Sequence, residues 1–202
     1  MNVNRGLKLA LLGMVAYVFV GCSRDSGNTK EKEEAIQWLL KCPPVVNPSR
    51  WPPEAYTYHS AQEWGAAGRR IKGIEKILIG LLENNTSDRP RWIIVRALGW
   101  VGSQERIPAL IKVLQDKEEP MTARIWAAVS LGKIRDKAAV APLCEAVTEG
   151  GSEMLRWNAI YALKKIGDPS AKPTIERVLK DEKLTIKEEA ELREVLRRLD
   201  GI

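Results

Sequence analysis

The feature that most constrains this chain is that it copies itself. The segments Arg91-Trp92-Ile93-Ile94-Val95-Arg96-Ala97-Leu98-Gly99, Arg124-Ile125-Trp126-Ala127-Ala128-Val129-Ser130-Leu131-Gly132 and Arg156-Trp157-Asn158-Ala159-Ile160-Tyr161-Ala162-Leu163-Lys164 align without a gap. Leu98, Leu131 and Leu163 mark the register, so the period is 33 and then 32 residues. Fixed periods of this size point to stacked supersecondary units that cannot bury their apolar faces alone.

The second half of each unit repeats as well. Leu110, Leu143 and Ile175 follow the marker leucines at a common distance, then Leu114, Val147 and Leu179, then acidic Asp116, Glu149 and Asp181. Ile107, Leu110, Ile111 and Leu114 sit at i, i+3, i+4 and i+7, which is one face of a helix; Val140, Leu143, Cys144 and Val147 repeat the stripe. The halves are joined by Val101-Gly102-Ser103, Ile134-Arg135-Asp136 and Ile166-Gly167-Asp168-Pro169. Glycine suits the end of the first helix, and Ser or Asp can cap the second. Pro108, Pro142 and Pro173 fall near the starts of the second helices, where a missing N–H costs least. The spacing therefore predicts an all-α, short α-solenoid of antiparallel helix pairs over residues 88–117, 121–150 and 153–182. Degenerate caps are predicted at 60–85 and 185–202, with Ser60-x-x-Glu63 as a capping box. The repeat domain as a whole covers 60–202.

ALGWVGS, SLGKIRD and ALKKIGD carry a resemblance to HEAT repeats, specifically the short HEAT-like type of phycobilisome lyases and many bacterial proteins. That resemblance implies a scaffold or adaptor that binds a protein or peptide along its second-helix face. It also carries an alternative, a lyase-like enzyme related to the HEAT-repeat chromophore lyases, and a third reading as a nucleic-acid-binding HEAT protein. Second-helix positions off the apolar stripe include Lys112, Glu145 and Arg177, which mix charge signs.

The N-terminus reads as an address. Arg5 and Lys8 precede the apolar run Leu9–Val20, which is too short to span a bilayer and fits the core of a secretory signal. The run ends Phe19-Val20-Gly21-Cys22. This resembles the lipobox of bacterial lipoproteins, although Phe19 stands where Leu is typical. The resemblance implies removal of residues 1–21, a diacylglycerol on Cys22 (with palmitate-type acylation of its amino group) and attachment to a membrane of the cell envelope. Ser23 follows the cysteine where Asp would suggest inner-membrane retention, so the periplasmic face of an outer membrane is favoured if there is one. Residues 22–29 are then a polar tether. Residues 30–59 hold an amphipathic helix (30–41), with Ile36, Leu39 and Leu40 on one side. The Pro-rich arm after it, 42–58, has five prolines and is expected to lie on the solenoid.

Composition narrows the chemistry. The 202 residues include 32 Lys+Arg, 26 Asp+Glu, three Cys and one His, for a formal charge of +6. Losing Arg5 and Lys8 lowers that to +4, and acids and bases alternate along the chain, so no nucleic-acid partner is expected. One histidine, His59, and three cysteines leave no metal cluster to assemble. No catalytic residues and no cofactor are expected: there is no phosphate-cradling glycine loop, H-E-x-x-H or G-x-S-x-G.

The remaining candidates divide by repeat position. Arg91, Arg124 and Arg156 share one position and are expected to bond acidic or carbonyl groups that end the preceding unit. Trp92 aligns with Ile125 and Trp157 and is expected in the core. Trp126 aligns with Ile93 and Asn158, and Trp100 with Lys133 and Lys165, so these two tryptophans are expected near a surface, under the arm or against a partner. Trp38, Trp51 and Trp64 are expected to dock the arm. Cys144 is expected as a buried free thiol, with a Cys42–Cys144 disulfide as the alternative in an oxidising envelope.

Overall fold

The computed structural model describes residues 29–42, 58–84, 90–102, 104–149, 151–180 and 184–200. Cys22, the segment before it, the tether, most of the Pro-rich arm, Trp51 and Asp181 lie outside the described residues. Within them the chain is helical throughout: α1 (Thr29–Leu40), α2 (Tyr58–Gly68), α3 (Ile74–Glu83), α4 (Arg91–Leu98), α5 (Arg106–Gln115), α6 (Met121–Ile134), α7 (Val140–Thr148), α8 (Glu153–Ile166), α9 (Lys172–Val178) and α10 (Ile186–Leu199). No described helix is long and apolar enough to cross a membrane.

The helices stack in two layers. First helices α4, α6, α8 and α10 pack side by side, and second helices α3, α5, α7 and α9 form the other layer. The three predicted repeats are the pairs α4–α5, α6–α7 and α8–α9. Leu98 and Leu131 are fully buried and Leu163 is nearly so, together with Leu110, Leu143 and Ile175 of the second layer. The marker residues of the period are thus the centre of the core.

Small residues set how closely the first helices approach. A Cβ built on Gly132 would stand 2.6 Å from Ala162 Cα, so only glycine lets α6 lie this near α8. One unit earlier, Gly99 abuts Ser130, whose hydroxyl donates to the Val95 carbonyl at 3.1 Å and ties α6 to α4. In the third unit Lys164 replaces the glycine and pairs with Glu191 at 3.0 Å.

The links between paired helices keep to the sequence pattern. Gly102, Arg135 and Gly167 all take the left-handed conformation, with φ of 94°, 61° and 69°. Asp136 and Asp168 then accept from Ala138 N and Ser170 N, capping short 3₁₀ turns that lead into α7 and α9. Pro108, Pro142 and Pro173 sit in the first turns of α5, α7 and α9.

The caps depart from expectation in two respects. α2 starts at Tyr58, two residues ahead of the serine expected to cap it. And α1 packs on α2, α3 and α4, which makes it a member of the N-terminal cap. Its buried side chains are Ala35, Trp38 and Leu39, while Leu40 is exposed. The expected face is rotated because the indole of Trp38 offers more apolar area than Leu40 and takes the interior place. At the other end Thr185 and Glu188 form a capping box on α10.

Candidate interaction surfaces

The arginine position builds a recurrent clamp. Arg91 Nη1 donates to the Leu82 carbonyl at 2.9 Å, and its guanidinium forks onto Glu119. Arg124 Nε donates to the Leu114 carbonyl at 2.9 Å, while its two terminal nitrogens grip Glu149 at 2.9 and 2.5 Å. Arg156 Nε reaches Glu188 at 2.8 Å. The carbonyl ends the preceding second helix, as expected. The carboxylates correct the expectation, for they come from residues 25 to 32 positions downstream. Asp116, the anticipated acid, instead accepts from Glu118 N in its own turn. The guanidinium points along the stack towards the next turn, which leaves Asp116 behind it.

Arg124 is 2% exposed, so its charge is held almost wholly by these partners. Hydrogen bonds from Arg124 hold the Glu149 carboxyl below the usual carboxylate range. Glu188 accepts from Thr185 N and the Thr185 hydroxyl with one oxygen and from Arg156 with the other. Burial pushes its pKa up, but those bonds and the Arg156 charge outweigh it and leave it low.

A second cluster gathers four of the tryptophans. Trp38 and Trp64 stack at 4.2 Å with a 9° interplanar angle. Arg96, 3% exposed, lies over Trp64 and Trp126, at 5.8 and 5.1 Å from the ring centres. Trp126 in turn stacks on Trp92 at 6.1 Å. Trp92 is therefore half-buried on the outer side of the first layer, which corrects its expected core position. Its indole lies across that of Trp126. Trp126 is half-buried too. Trp100 packs its side chain beside Gly65, under the Lys133 ammonium, and its carbonyl accepts from Arg69 at 2.7 Å. It is covered in part by α2, an element the repeat alignment could not supply.

Arg96 was not singled out by the sequence reasoning. Its repeat equivalents are Val129 and Tyr161. An arginine at a position otherwise apolar or aromatic was the available signal. Its Nη1 donates to Cys42 Sγ at 3.2 Å. Burial raises the Cys42 pKa, with Arg96 opposing; burial likewise raises that of Cys144, with Thr174 and Arg177 opposing. Both sulfurs are half-buried. Cys42 lies by α4 and Cys144 by α9, so the alternative disulfide is not formed, and Cys144 is less enclosed than expected.

The second-layer candidates face outward. Lys112, Glu145 and Arg177, on α5, α7 and α9, are all exposed. Gln115 donates to Glu145 across α5 and α7 at 2.7 Å. A groove of about 490 Å³ lies between α3 and α5, with Lys112, Asp116 and Glu119 on its walls. A smaller one of about 300 Å³ between α5 and α7 includes Pro142 and Glu145. The side chain of His59 is outside the described residues. Among the described residues no group of three His, Cys, Asp or Glu side chains is placed to hold a metal.

A family model described as HEAT repeats matches residues 74–164 and, overlapping it, 118–193. Together these cover more than half the chain. The chain belongs to the HEAT-repeat family. The HEAT match opens at Ile74, the first residue of α3, so α1 and α2, with Trp38 and Trp64, precede the matched array. The clamps of Arg91, Arg124 and Arg156 all lie inside it. HEAT arrays are stacks of helix pairs whose repeated faces form extended surfaces for protein partners. No curated protein matches the chain.

Proposed function

We propose that this HEAT-repeat chain is a lipid-anchored, non-catalytic adaptor of the bacterial cell envelope that holds a protein or peptide partner on its second-helix layer. The observation that carries the reading is the run of outward-facing side chains and shallow grooves across α3, α5 and α7, including Lys112 and Glu145. The architecture uses its buried polar groups to join one unit to the next. The lipobox-like Phe19-Val20-Gly21-Cys22 supports the anchor. Acyl chains on Cys22 would hold the solenoid close to a bilayer, since seven residues, at most about 24 Å, separate Cys22 from Thr29.

Two experiments test the two halves. Replacing Cys22 with Ser is expected to release the protein from membrane fractions and to abolish globomycin sensitivity; unchanged membrane retention overturns the anchor. A photo-crosslinking residue placed at Lys112, Glu145 or Arg177 in the native envelope is expected to give one discrete adduct. The same residue at Met154 on α8 is expected to give none. Identical adducts from both layers would remove the second layer as the binding face.

A further inference from the structure

Acids and bases alternate along the chain, yet the fold gathers exposed cations at two turns of one edge. Every turn from a first to a second helix lies on one edge, and every return turn lies on the other. Turn 69–73 carries three cations and no carboxylate, and turn 133–137 carries three cations and one carboxylate. The turn between them, 99–105, carries no cation and one carboxylate, and at 164–172 two of the three cations are already paired, Lys164 with Glu191 and Lys172 with Asp200. Turns 69–73 and 133–137 both reach turn 99–105. Arg69 bonds the Trp100 carbonyl, and the Lys133 ammonium sits on the Trp100 ring. The Lys137 charge acts on Asp168. Two return turns on the other edge reverse the balance: 116–120 has three carboxylates and one cation, and 149–153 has two carboxylates and no cation. The clamps on that edge already satisfy Glu119, Glu149 and Glu188.

We infer that the patch formed by turns 69–73 and 133–137 is a docking surface for an anionic bilayer. The occupant rests on the anchor proposed above; the cluster of cations does not. Charge complementarity favours this partner: the exposed Arg70, Lys72, Arg135 and Lys137 of these two turns form the kind of basic cluster that an anionic lipid surface attracts. Chain length allows it. The buried Trp38 at the C-terminal end of α1 lies against Gly68 and Val101, beside this edge. α1 is 12 residues long, about 18 Å. The tether from Cys22 reaches up to about 24 Å. A lipidated Cys22 can therefore sit in the same bilayer that the edge touches, whichever way α1 runs.

The test uses the chain from residue 22 with Cys22→Ser, so that no acyl chain contributes; it keeps every described contact. Its binding to vesicles of phosphatidylcholine with about one-third phosphatidylglycerol is compared with binding to phosphatidylcholine alone. The edge variant is Arg70→Glu, Lys72→Glu and Lys137→Glu. Its control is Lys112→Glu, Lys117→Glu and Lys180→Glu, which makes the same change in net charge elsewhere. Circular dichroism checks that both remain helical and melt near the parent temperature. The expected result is salt-sensitive binding to the anionic vesicles only, weakened about tenfold or more by the edge variant and less than about threefold by the control. The proposal is overturned by equal binding to both vesicles, by no binding, or by equal loss in both variants. Tighter binding to a poly-glutamate peptide or an oligonucleotide than to the anionic vesicles also overturns it, and assigns the edge to that partner. Failure here leaves the Cys22 experiment standing, and failure there leaves this binding intact.

Discussion

The indole N–H of Trp38 donates to the main-chain carbonyl of Trp64 at 2.7 Å, and the indole N–H of Trp64 donates to the carbonyl of Trp38 at 3.0 Å. The two rings stack between these bonds. Each residue supplies both a donor and an acceptor, so the pair satisfies its polar atoms while burying two large apolar surfaces. It fastens α1 to α2.

Trp38→Ala is expected to cost about 3–5 kcal/mol, as for other buried aromatic truncations. Trp64→Phe, which keeps much of the ring area and removes one donor, is expected to cost about 1–3 kcal/mol. Gly68 lies beneath the pair, and an added Cβ would meet Trp38 Cε2 at 2.6 Å. Gly68→Ala is therefore expected to destabilise by about 1–3 kcal/mol through overpacking. Urea denaturation followed by near-ultraviolet circular dichroism measures all three; a neutral Gly68→Ala would show that α1 does not rest there.

Among the clamps, Arg124 is expected to be the most costly to break. Arg124→Ala leaves the Leu114 carbonyl and Glu149 without their donor and is expected to cost about 3 kcal/mol. Arg156, with a side chain 18% exposed against 3% for Arg124, is expected to cost less. Arg124→Lys retains charge but not the fork and is expected to recover less than half the loss. A double-mutant cycle with Glu149→Gln separates the ion pair from the carbonyl bond.

The Glu188 carboxyl titrates below its ordinary value in the fold. The folded state thus binds its proton more weakly than the unfolded chain does. The resulting stability is present above the ordinary carboxylate pKa and is lost as pH falls through the depressed folded value. Hydrogen exchange of α10 is expected to accelerate over that acidic window before the central units respond. Glu188→Gln is expected to flatten this local pH dependence. An α10 that opens together with α6 at every pH would contradict a separately titrating cap.

Arg135 holds φ at 61° in a position that Gly102 and Gly167 fill in the neighbouring units. A side chain in this conformation costs about 1–2 kcal/mol relative to the right-handed region. Arg135→Gly is expected to raise stability by up to about 1 kcal/mol, seen as a higher denaturant midpoint at unchanged slope. A lower midpoint would mean that the arginine side chain makes a compensating contact.

The repeats were legible because burial imposes a period and the chain obeys it: Leu98, Leu131 and Leu163 are at once markers and core. The left-handed turns were legible because Gly, Arg and Gly share one register position. The clamp was legible in its arginines but not in its acids, since a long side chain chooses among carboxylates a turn apart and register does not say which. Trp92 was misjudged for a related reason. Alignment gives the depth of a position within an ideal stack, whereas this ring meets Trp126, which is not repeated. The basic patch was hidden because residues 69–73 and 133–137 lie 60 residues apart in sequence and meet through Trp100.

The clamp has a bearing on how an array like this changes length. Arg91 and Arg124 each take a carbonyl from behind and a carboxylate from ahead, 28 and 25 residues on. Excising one whole period between equivalent points, such as Trp92 to Arg124, leaves Arg91 facing Glu149 in the place of Glu119. The remaining guanidinium finds the same pair of acceptors. A cut of any other length strands a buried cation. The molecule is thus modular at the scale of a full unit and intolerant at any smaller one, so shorter or longer relatives of this chain should differ by whole helix pairs.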